Sequence, residues 1–156
     1  MDELKYQVLD YCHQEGLLGI WTDPDVIRYT NMRIPCTVAD VKQRIAIFKD
    51  LDVFAVIKQE RLIGIIGCPP INKATLQFGL FYQFSKSSWG KGNASIATKW
   101  LIDYMKQKYK DVILFADVVV ENVASEKVLQ KLGFHQISEE TIQRDGKILK
   151  VHNYKL

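Results

Sequence analysis

The segment that most constrains the fold is "WGKGNAS", which runs from Trp89 to Ser95 between a strand-like stretch and a helix-like stretch. Alternating apolar residues end near Phe84, and apolar residues at helical spacing follow over residues 93–109. Glycine costs backbone entropy, so two glycines directly before a helix indicate that something approaches the backbone closely. The first helical turn offers unpaired N–H groups, and glycines let such amides surround an anion. The loop therefore predicts either a phosphate-binding site or a tight turn.

The remaining segments alternate between strand and helix patterns. Strands are predicted over residues 4–9, 53–58, 62–67, 75–84, 112–120, 134–140 and 147–156, with the last two joined by the turn "RDG". Two N-terminal helices are predicted, one capped by Asp10 and one by Thr37, with Pro24 breaking the chain between them. A helix over residues 93–109 and a shorter one from Asn122 to Leu132, ended by Gly133, complete the set. Helices interleaved with strands predict an α/β (α+β) domain with a mixed sheet.

Length, charge and cysteine usage narrow the class of protein. The 156 residues predict a single domain over 1–156. A net charge of +3 does not argue for nucleic acid, and no apolar run reaches the roughly 18 residues that a membrane span needs. The start "MDELKYQ" lacks the apolar stretch of a signal peptide, and the three cysteines show no paired metal-ligand spacing. These features predict a cytoplasmic protein without a metal, nucleic-acid or membrane partner.

Two common nucleotide motifs are missing. The P-loop pattern G-x-x-x-x-G-K-[ST] does not occur, and no G-x-G-x-x-G follows the first predicted strand. A nucleotide-binding module that uses the glycine loop for ATP therefore remains only as an alternative.

Three segments resemble one enzyme family. "WGKGNA" is similar to the Q/R-x-x-G-x-G/A motif of the GNAT N-acetyltransferases, with Trp89 where many members have Gln or Arg. This Trp form, "ENVASEKVLQKLGF" over residues 121–134 and "WTDPDVIRYT" over residues 21–30 resemble the RimJ/RimL-like branch, which acetylates protein N-termini and other amines. The resemblance implies a GNAT fold: a mostly antiparallel, twisted sheet of about seven strands with helices on both faces. The fourth strand, which ends at Phe84, would splay apart from the fifth strand, which spans residues 112–120.

The resemblance also implies acetyl-CoA as the cofactor. The backbone of the glycine loop would hold the pyrophosphate, and pantetheine would lie in the gap between the splayed strands, paired with exposed peptide groups. Asn122 would hydrogen-bond the pantetheine arm, or serve only as a helix cap. The implied cofactor-binding residues are Phe84, Trp89, Gly90, Lys91, Gly92, Asn93, Ala94, Ser95, Asn122 and Ser125.

The resemblance indicates the catalytic residues less directly than the cofactor-binding residues. Acetyl transfer needs a free-base amine, a donor for the carbonyl oxyanion and a proton for the departing thiolate. The backbone N–H of Phe84 is the expected oxyanion donor. Many relatives carry a Tyr in the last helix, but that position is Leu129 here, and Ser125 becomes the candidate acid or a residue that only supports its helix. The base is open between Gln77, near the place of a family Glu, and Asp117, which could equally be structural.

Trp21 and Tyr29 are candidate walls of the acceptor groove, or core residues between the N-terminal helices. Without a strong base, an α-amine with a pKa of about 7.7–8.0 is easier to acetylate than a lysine with a pKa near 10.4. We therefore expect an N-acetyltransferase that acts on a small-molecule or peptide amine, as a monomer or homodimer. A catalytically idle acyl-CoA-binding or regulatory module on the same fold is the alternative, motivated by the missing Tyr and Glu.

Overall fold

The computed structural model describes residues 3–30, 36–144 and 146–156. The helices are α1 Gln14–Trp21, α2 Pro24–Ile27, α3 Val38–Phe48, α4 Asn93–Lys108 and α5 Val123–Lys131. The strands are β1 Lys5–Val8, β2 Val53–Lys58, β3 Arg61–Gly67, β4 Pro70–Asn72, β5 Gln77–Gly79, β6 Phe81–Phe84, β7 Ile113–Val119, β8 His135–Arg144 and β9 Lys147–Lys155. Among the described helices, none combines the length and the apolar character that a membrane crossing requires.

The strands form two half-sheets. The first has the order β1-β2-β3-β6, and the second has the order β4-β5-β7-β9-β8. Every pairing is antiparallel except that of β5 with β7. The predicted mixed, mostly antiparallel sheet is confirmed, and its splay lies between β6 and β7. The strand count of about seven fits roughly, because β4 is only three residues long and one predicted strand is divided in two.

That division corrects the prediction of one continuous strand over residues 75–84. Residues 73–75 form a 3₁₀ turn, and Leu76 has a left-handed backbone with φ of 54°. β5 then pairs with β7 in parallel, whereas β6 pairs with β3. The last bond to β7 runs from the Leu80 N–H to the Phe115 carbonyl, at 2.7 Å. Apolar alternation continues unchanged through Leu80 while the hydrogen-bonding partner changes, so the sequence pattern does not register the break.

The helices cover both faces, as predicted. Alternation along β2 sends Val53 and Ala55 to the core beneath α1–α3, and Phe54 and Val56 to the core beneath α4 and α5. The same alternation along residues 76–84 places the even-numbered residues on one face, against the α4–α5 core.

The N-terminal helices differ in detail from the prediction. Asp10 caps a 3₁₀ turn, Tyr11–His13, that leads into α1. Pro24 opens the short helix α2 behind the cap Asp23, instead of only breaking the chain, because proline lacks an N–H that the first helical position does not use. Thr37 caps α3, as predicted, and forms a capping box with Asp40. Asp145, at the centre of the predicted "RDG" turn, lies outside the described residues.

The far end of α4 is tied to the start of β2 by a carboxylate. Asp52 is 6% exposed and accepts hydrogen bonds from Lys108 Nζ at 2.6 Å, Tyr109 Oη at 2.8 Å and Tyr104 Oη at 3.1 Å. The hydrogen bond to Asp52 raises the pKa of Lys108 above its usual value. This cluster fixes the axis of α4, whose other end begins at the glycine loop.

Candidate active site

The parting of β6 from β7 exposes peptide groups. The Ser85 N–H donates to the Ile63 carbonyl at 2.8 Å, and in an antiparallel pair the hydrogen-bonded residues alternate. With Gly64 opposite Phe84 and Ile65 opposite Gln83 in the register, the peptide groups of Tyr82 and Phe84 face away from β3 and into the gap. On the far side, β7 has no strand partner beyond Phe115 among the described residues at this edge. The gap is therefore bordered by unpaired backbone on β6 and β7.

The glycine loop opens onto this gap. Gly90 and Gly92 have φ values of 73° and 79°, in the left-handed region, and a Cβ at either would meet no atom within 4 Å. Gly92 is the N-cap of α4 and provides no side-chain cap, so the first N–H groups of the helix have no acceptor from it. Glycine adopts this backbone conformation without steric cost and adds no side chain to the open space above the loop. The loop has the form that an anion-binding site needs.

Side chains around the loop hold it in place. Asn93 is 4% exposed, and its Nδ2 donates to the Ser88 carbonyl at 3.0 Å while its Oδ1 accepts from Lys58 Nζ at 3.4 Å. Trp89 Nε1 donates to the Phe84 carbonyl at 2.9 Å, which links the loop to the end of β6. The indole thereby pairs with the outward-facing carbonyl of Phe84, and the backbone N–H of Phe84 stays available.

A cavity of about 950 Å³ extends from the loop through the gap to the face covered by α1–α3. We call the part next to α4 and α5 the loop side; its residues are Tyr82, Phe84, Ser88, Trp89, Gly90, Gly92, Asn93, Ala94, Ser95, Asn122, Ser125 and Leu129. We call the part beneath α1–α3 the aromatic side; its residues are Trp21, Tyr29, Arg44, Phe48, Phe81, Gln83, Asp117, Glu140 and Arg144. The two sides meet at β6, whose alternate side chains point to one or the other.

Two hydroxyl groups are in contact on the loop side. Tyr82 Oη on β6 lies 2.7 Å from Ser125 Oγ on α5, and Asn122 Oδ1 caps the same helical turn by accepting from the Ser125 N–H at 3.4 Å. Burial raises the pKa of Tyr82, although its bond to Ser125 acts in the opposite direction. The phenol therefore keeps its proton at neutral pH. The contact also bridges the gap, because β6 belongs to the first half-sheet and α5 packs on the second.

A second cross-link lies on the aromatic side. Trp21 is 1% exposed, and its Nε1 donates to Gln83 Oε1 at 2.5 Å. Phe48 and Phe81 pack beside it, with ring centroids 5.4 Å apart. Trp21 is therefore both a core residue and part of the cavity wall, so the two roles considered for it coexist.

Charged groups close the aromatic side. Arg144 Nη1 donates to the Tyr29 carbonyl at 2.8 Å, which joins the end of β8 to the segment after α2. Asp117 on β7 lies in the wall of the cavity, where burial and the charge of Glu140 raise the pKa of its carboxyl and Arg144 lowers it. This side thus combines aromatic surface with carboxylates and guanidinium groups.

Most of the residues predicted for the site line the cavity, but not all of them. Lys91 is exposed and does not line it, and Gln77 on β5 lies beyond the break at Leu80. Lys86, which precedes the loop, forms an ion pair with Asp25 at 2.5 Å.

Tyr82, Gln83 and Arg144 are among the site residues that sequence reasoning missed. Their partners lie 43, 62 and 115 positions away along the chain. Alternation alone predicts which face of β6 each side chain occupies, but it carries no signal for partners so distant in sequence.

Comparison with known proteins agrees with this geometry. Residues 8–135 match the family model described as Acetyltransferase (GNAT) domain. The chain is 30% identical over 153 residues to the uncharacterized N-acetyltransferase p20 of Bacillus licheniformis, covering 90% of this chain and 84% of that protein.

Two solved structures share the fold. The GNAT-family acetyltransferase from Bacillus anthracis superposes with a TM-score of 0.89 at 20% identity, covering 100% of this chain and 96% of that one. The spermidine N-acetyltransferase from Vibrio cholerae, in complex with CoA and spermine, gives a TM-score of 0.85 at 16% identity, covering 98% and 94%. The predicted fold and enzyme class are confirmed, with acetyl-CoA as the cofactor of the family. The chain belongs to the GNAT family of acetyltransferases.

Proposed function

We propose that this protein transfers an acetyl group from acetyl-CoA to a primary amine by direct attack in a ternary complex. The observation that carries this proposal is the junction of the open gap with the glycine loop: unpaired peptide groups of β6 lead directly to the uncapped first turn of α4. We further propose the RimJ/RimL-like branch, supported by the three segments that resemble it.

The loop side fits the cofactor in shape and chemistry. The open space at Gly90 and Gly92 and the N–H groups of the first turn of α4 suit a pyrophosphate. The outward-facing peptide groups of Tyr82 and Phe84 suit an extended amide chain added beside β6. When bound, acetyl-CoA supplies an acetyl group already activated as a thioester.

The Phe84 N–H then becomes the donor to the acetyl carbonyl oxygen. It faces the gap, and Trp89 fixes the neighbouring carbonyl of the same residue, so the N–H is held in one direction before any ligand arrives. A donor positioned in advance is worth more than one that must reorganise during the reaction.

Ser125 is proposed to supply the proton for the departing sulfur. Tyr82 keeps its proton, so its hydroxyl can donate to Ser125 Oγ, and in that arrangement the serine proton is free to point toward the sulfur. Many relatives carry a Tyr in the last helix, where this chain has Leu129. Here a tyrosine hydroxyl, that of Tyr82, comes from β6 instead. This pair favours an active enzyme over the idle acyl-CoA-binding module.

The acceptor amine enters, in this proposal, from the aromatic side. Asp117 is the carboxylate of this wall whose pKa is raised, which makes it a better proton acceptor than an ordinary aspartate. An α-amine, about 10–20% of which is free base at pH 7, requires little further help.

Release of free thiol from acetyl-CoA with a panel of amines tests the function. We expect amine-dependent thiol release by the wild type and recovery of the N-acetylated amine. Cofactor binding without release for any amine class would instead support the idle module, and binding of ATP in preference to CoA would contradict both.

A further inference from the structure

We propose that Gln83 selects acceptors that carry a carbonyl oxygen on the carbon next to the amine-bearing carbon, as α-amino amides do at a peptide N-terminus. This inference rests on the proposed function, since it concerns the acceptor of the same transfer. It narrows the acceptor to one class of amine and names the side chain that selects it.

Trp21 fixes which end of the Gln83 amide faces the cavity. An indole N–H can only donate, so the Gln83 atom at 2.5 Å from Trp21 Nε1 must be the carbonyl oxygen. The amide –NH₂ group is then at the opposite end of the side chain and has no hydrogen-bond partner among the described residues. Because Trp21 is almost fully buried in the core of α1–α3, it cannot turn to release the amide.

The position of Gln83 places this donor beside the reacting centre. Gln83 directly precedes Phe84, whose N–H is the proposed donor to the acetyl oxygen. The two side chains lie on opposite faces of β6, with Phe84 in the α4–α5 core and Gln83 toward Trp21. An amine that attacks from the aromatic side therefore approaches next to the Gln83 amide.

The chemistry of a fixed –NH₂ group defines what it recognises. It can donate but not accept, so it favours an oxygen on the acceptor and gives nothing to a second ammonium group. A site built to hydrogen-bond one substrate group discriminates against an analogue without that group, because the analogue fills the place of the hydrogen-bonded group without pairing with the donor. The α-amino carbonyl presents an amine and such an oxygen on adjacent carbons.

The test compares alaninamide with sec-butylamine, its hydrocarbon analogue without the carbonyl oxygen, by kcat/KM in wild type and variants. The two amines differ in pKa, but the effect of this difference on their rates is the same in every protein. It therefore cancels when the ratio of the two kcat/KM values is compared between wild type and variants. We expect Gln83→Leu to lower the alaninamide preference about three- to tenfold, the value of one hydrogen bond. Gln83→Glu should abolish the preference and raise the relative rate with 1,4-diaminobutane, since a carboxylate accepts where the amide donates.

Controls separate selection from general damage. Gln143→Glu makes the same chemical change on β8 at an exposed position outside the cavity lining and should leave the ratio unchanged. Trp21→Phe keeps an aromatic ring but frees the amide to flip, so the ratio should fall by less than in Gln83→Leu. Free alanine, tested beside alaninamide, distinguishes an amino-acid acceptor from a peptide terminus.

Two outcomes would overturn the proposal in distinguishable ways. If Gln83→Leu and Gln83→Glu turn over amines with the wild-type ratio, Gln83 does not select the acceptor and the proposed function stands. If the wild type releases no thiol with any amine, the proposed function fails and the selection fails with it.

Discussion

The loop side and the aromatic side of the cavity are built on different principles. The loop side uses mainly backbone groups, from β6 and the first turn of α4, positioned by residues close together in the chain. The aromatic side uses side chains from α1, α3, β6, β7 and β8, joined by contacts across 62 and 115 positions. Backbone recognition depends little on side-chain identity, whereas side-chain recognition changes with every substitution. The difference suggests a constant cofactor on one side and a specific acceptor on the other.

The largest effect is expected from Gly92→Val on the loop side. A β-branched residue in the left-handed region costs about 1–3 kcal/mol and places methyl groups over the first turn of α4. We expect the KM for acetyl-CoA to rise about tenfold or more with every amine.

Gly146→Val is the matched control for that change. Gly146 also has a left-handed φ, of 74°, and open space around it, but it does not line the cavity. Both variants should lose similar stability in urea unfolding. If the two variants raised the KM for acetyl-CoA equally, the glycine loop would not be part of the binding site.

The next effect concerns the hydroxyl pair. Ser125→Ala and Tyr82→Phe should each lower kcat by about tenfold or more while the KM for acetyl-CoA changes little, since proton transfer is a transition-state contribution. The double variant should be no slower than Ser125→Ala, because Tyr82 acts through Ser125.

Tyr109→Phe provides the comparison for the loss of a tyrosine hydroxyl. Its hydroxyl makes a 2.8 Å bond to Asp52, outside the cavity lining, so stability should fall while kcat stays at the wild-type value. If the losses of kcat in the double variant Tyr82→Phe/Ser125→Ala were additive, Tyr82 would not act through Ser125. Full turnover by Ser125→Ala would contradict the proposed role of Ser125.

A smaller effect is expected from Arg144→Gln on the aromatic side. Loss of the bond to the Tyr29 carbonyl loosens the wall, and we expect the KM for the acceptor to rise about threefold with an unchanged KM for acetyl-CoA. Steady-state kinetics with each substrate varied in turn measure both constants. A change confined to acetyl-CoA would show that the two sides are not separate.

The smallest expected effect is a pH dependence of stability at α5, the helix that carries Ser125. Hydrogen bonds to Glu126, at 2.5 Å, and to Glu139 raise the pKa of His152. Protonated His152 therefore stabilises the fold below the unfolded pKa of about 6.5, and this contribution is lost as the pH rises through the folded pKa. Hydrogen bonds from Tyr154 and His152 lower the pKa of Glu126, whose contribution is present above the usual carboxyl pKa and lost in acid.

Urea unfolding of wild type and His152→Asn between pH 5 and 9 measures this dependence. The wild type should lose stability above about pH 6.5, and the variant should show a flatter profile there. Parallel profiles would show that the His152 cluster does not stabilise α5.

Much of the loop side could be predicted from the sequence. The glycines, the start of α4, the Asn122 cap and the face of residues 76–84 all follow from local rules of backbone geometry and alternation. Gln77 shows where those rules stop. The chain changes its hydrogen-bonding partner at Leu80, so Gln77 lies away from the cavity.

The sequence alone determined most of the elements, their faces and the glycine turn before α4, because φ/ψ preference, capping and periodicity act over a few neighbouring residues. Only the tertiary structure decided where the sheet parts, that Tyr82 meets Ser125 and that Trp21 holds Gln83. The physical reason is that a hydrogen bond between distant segments depends on the packing of every element between them, and no short pattern records that packing.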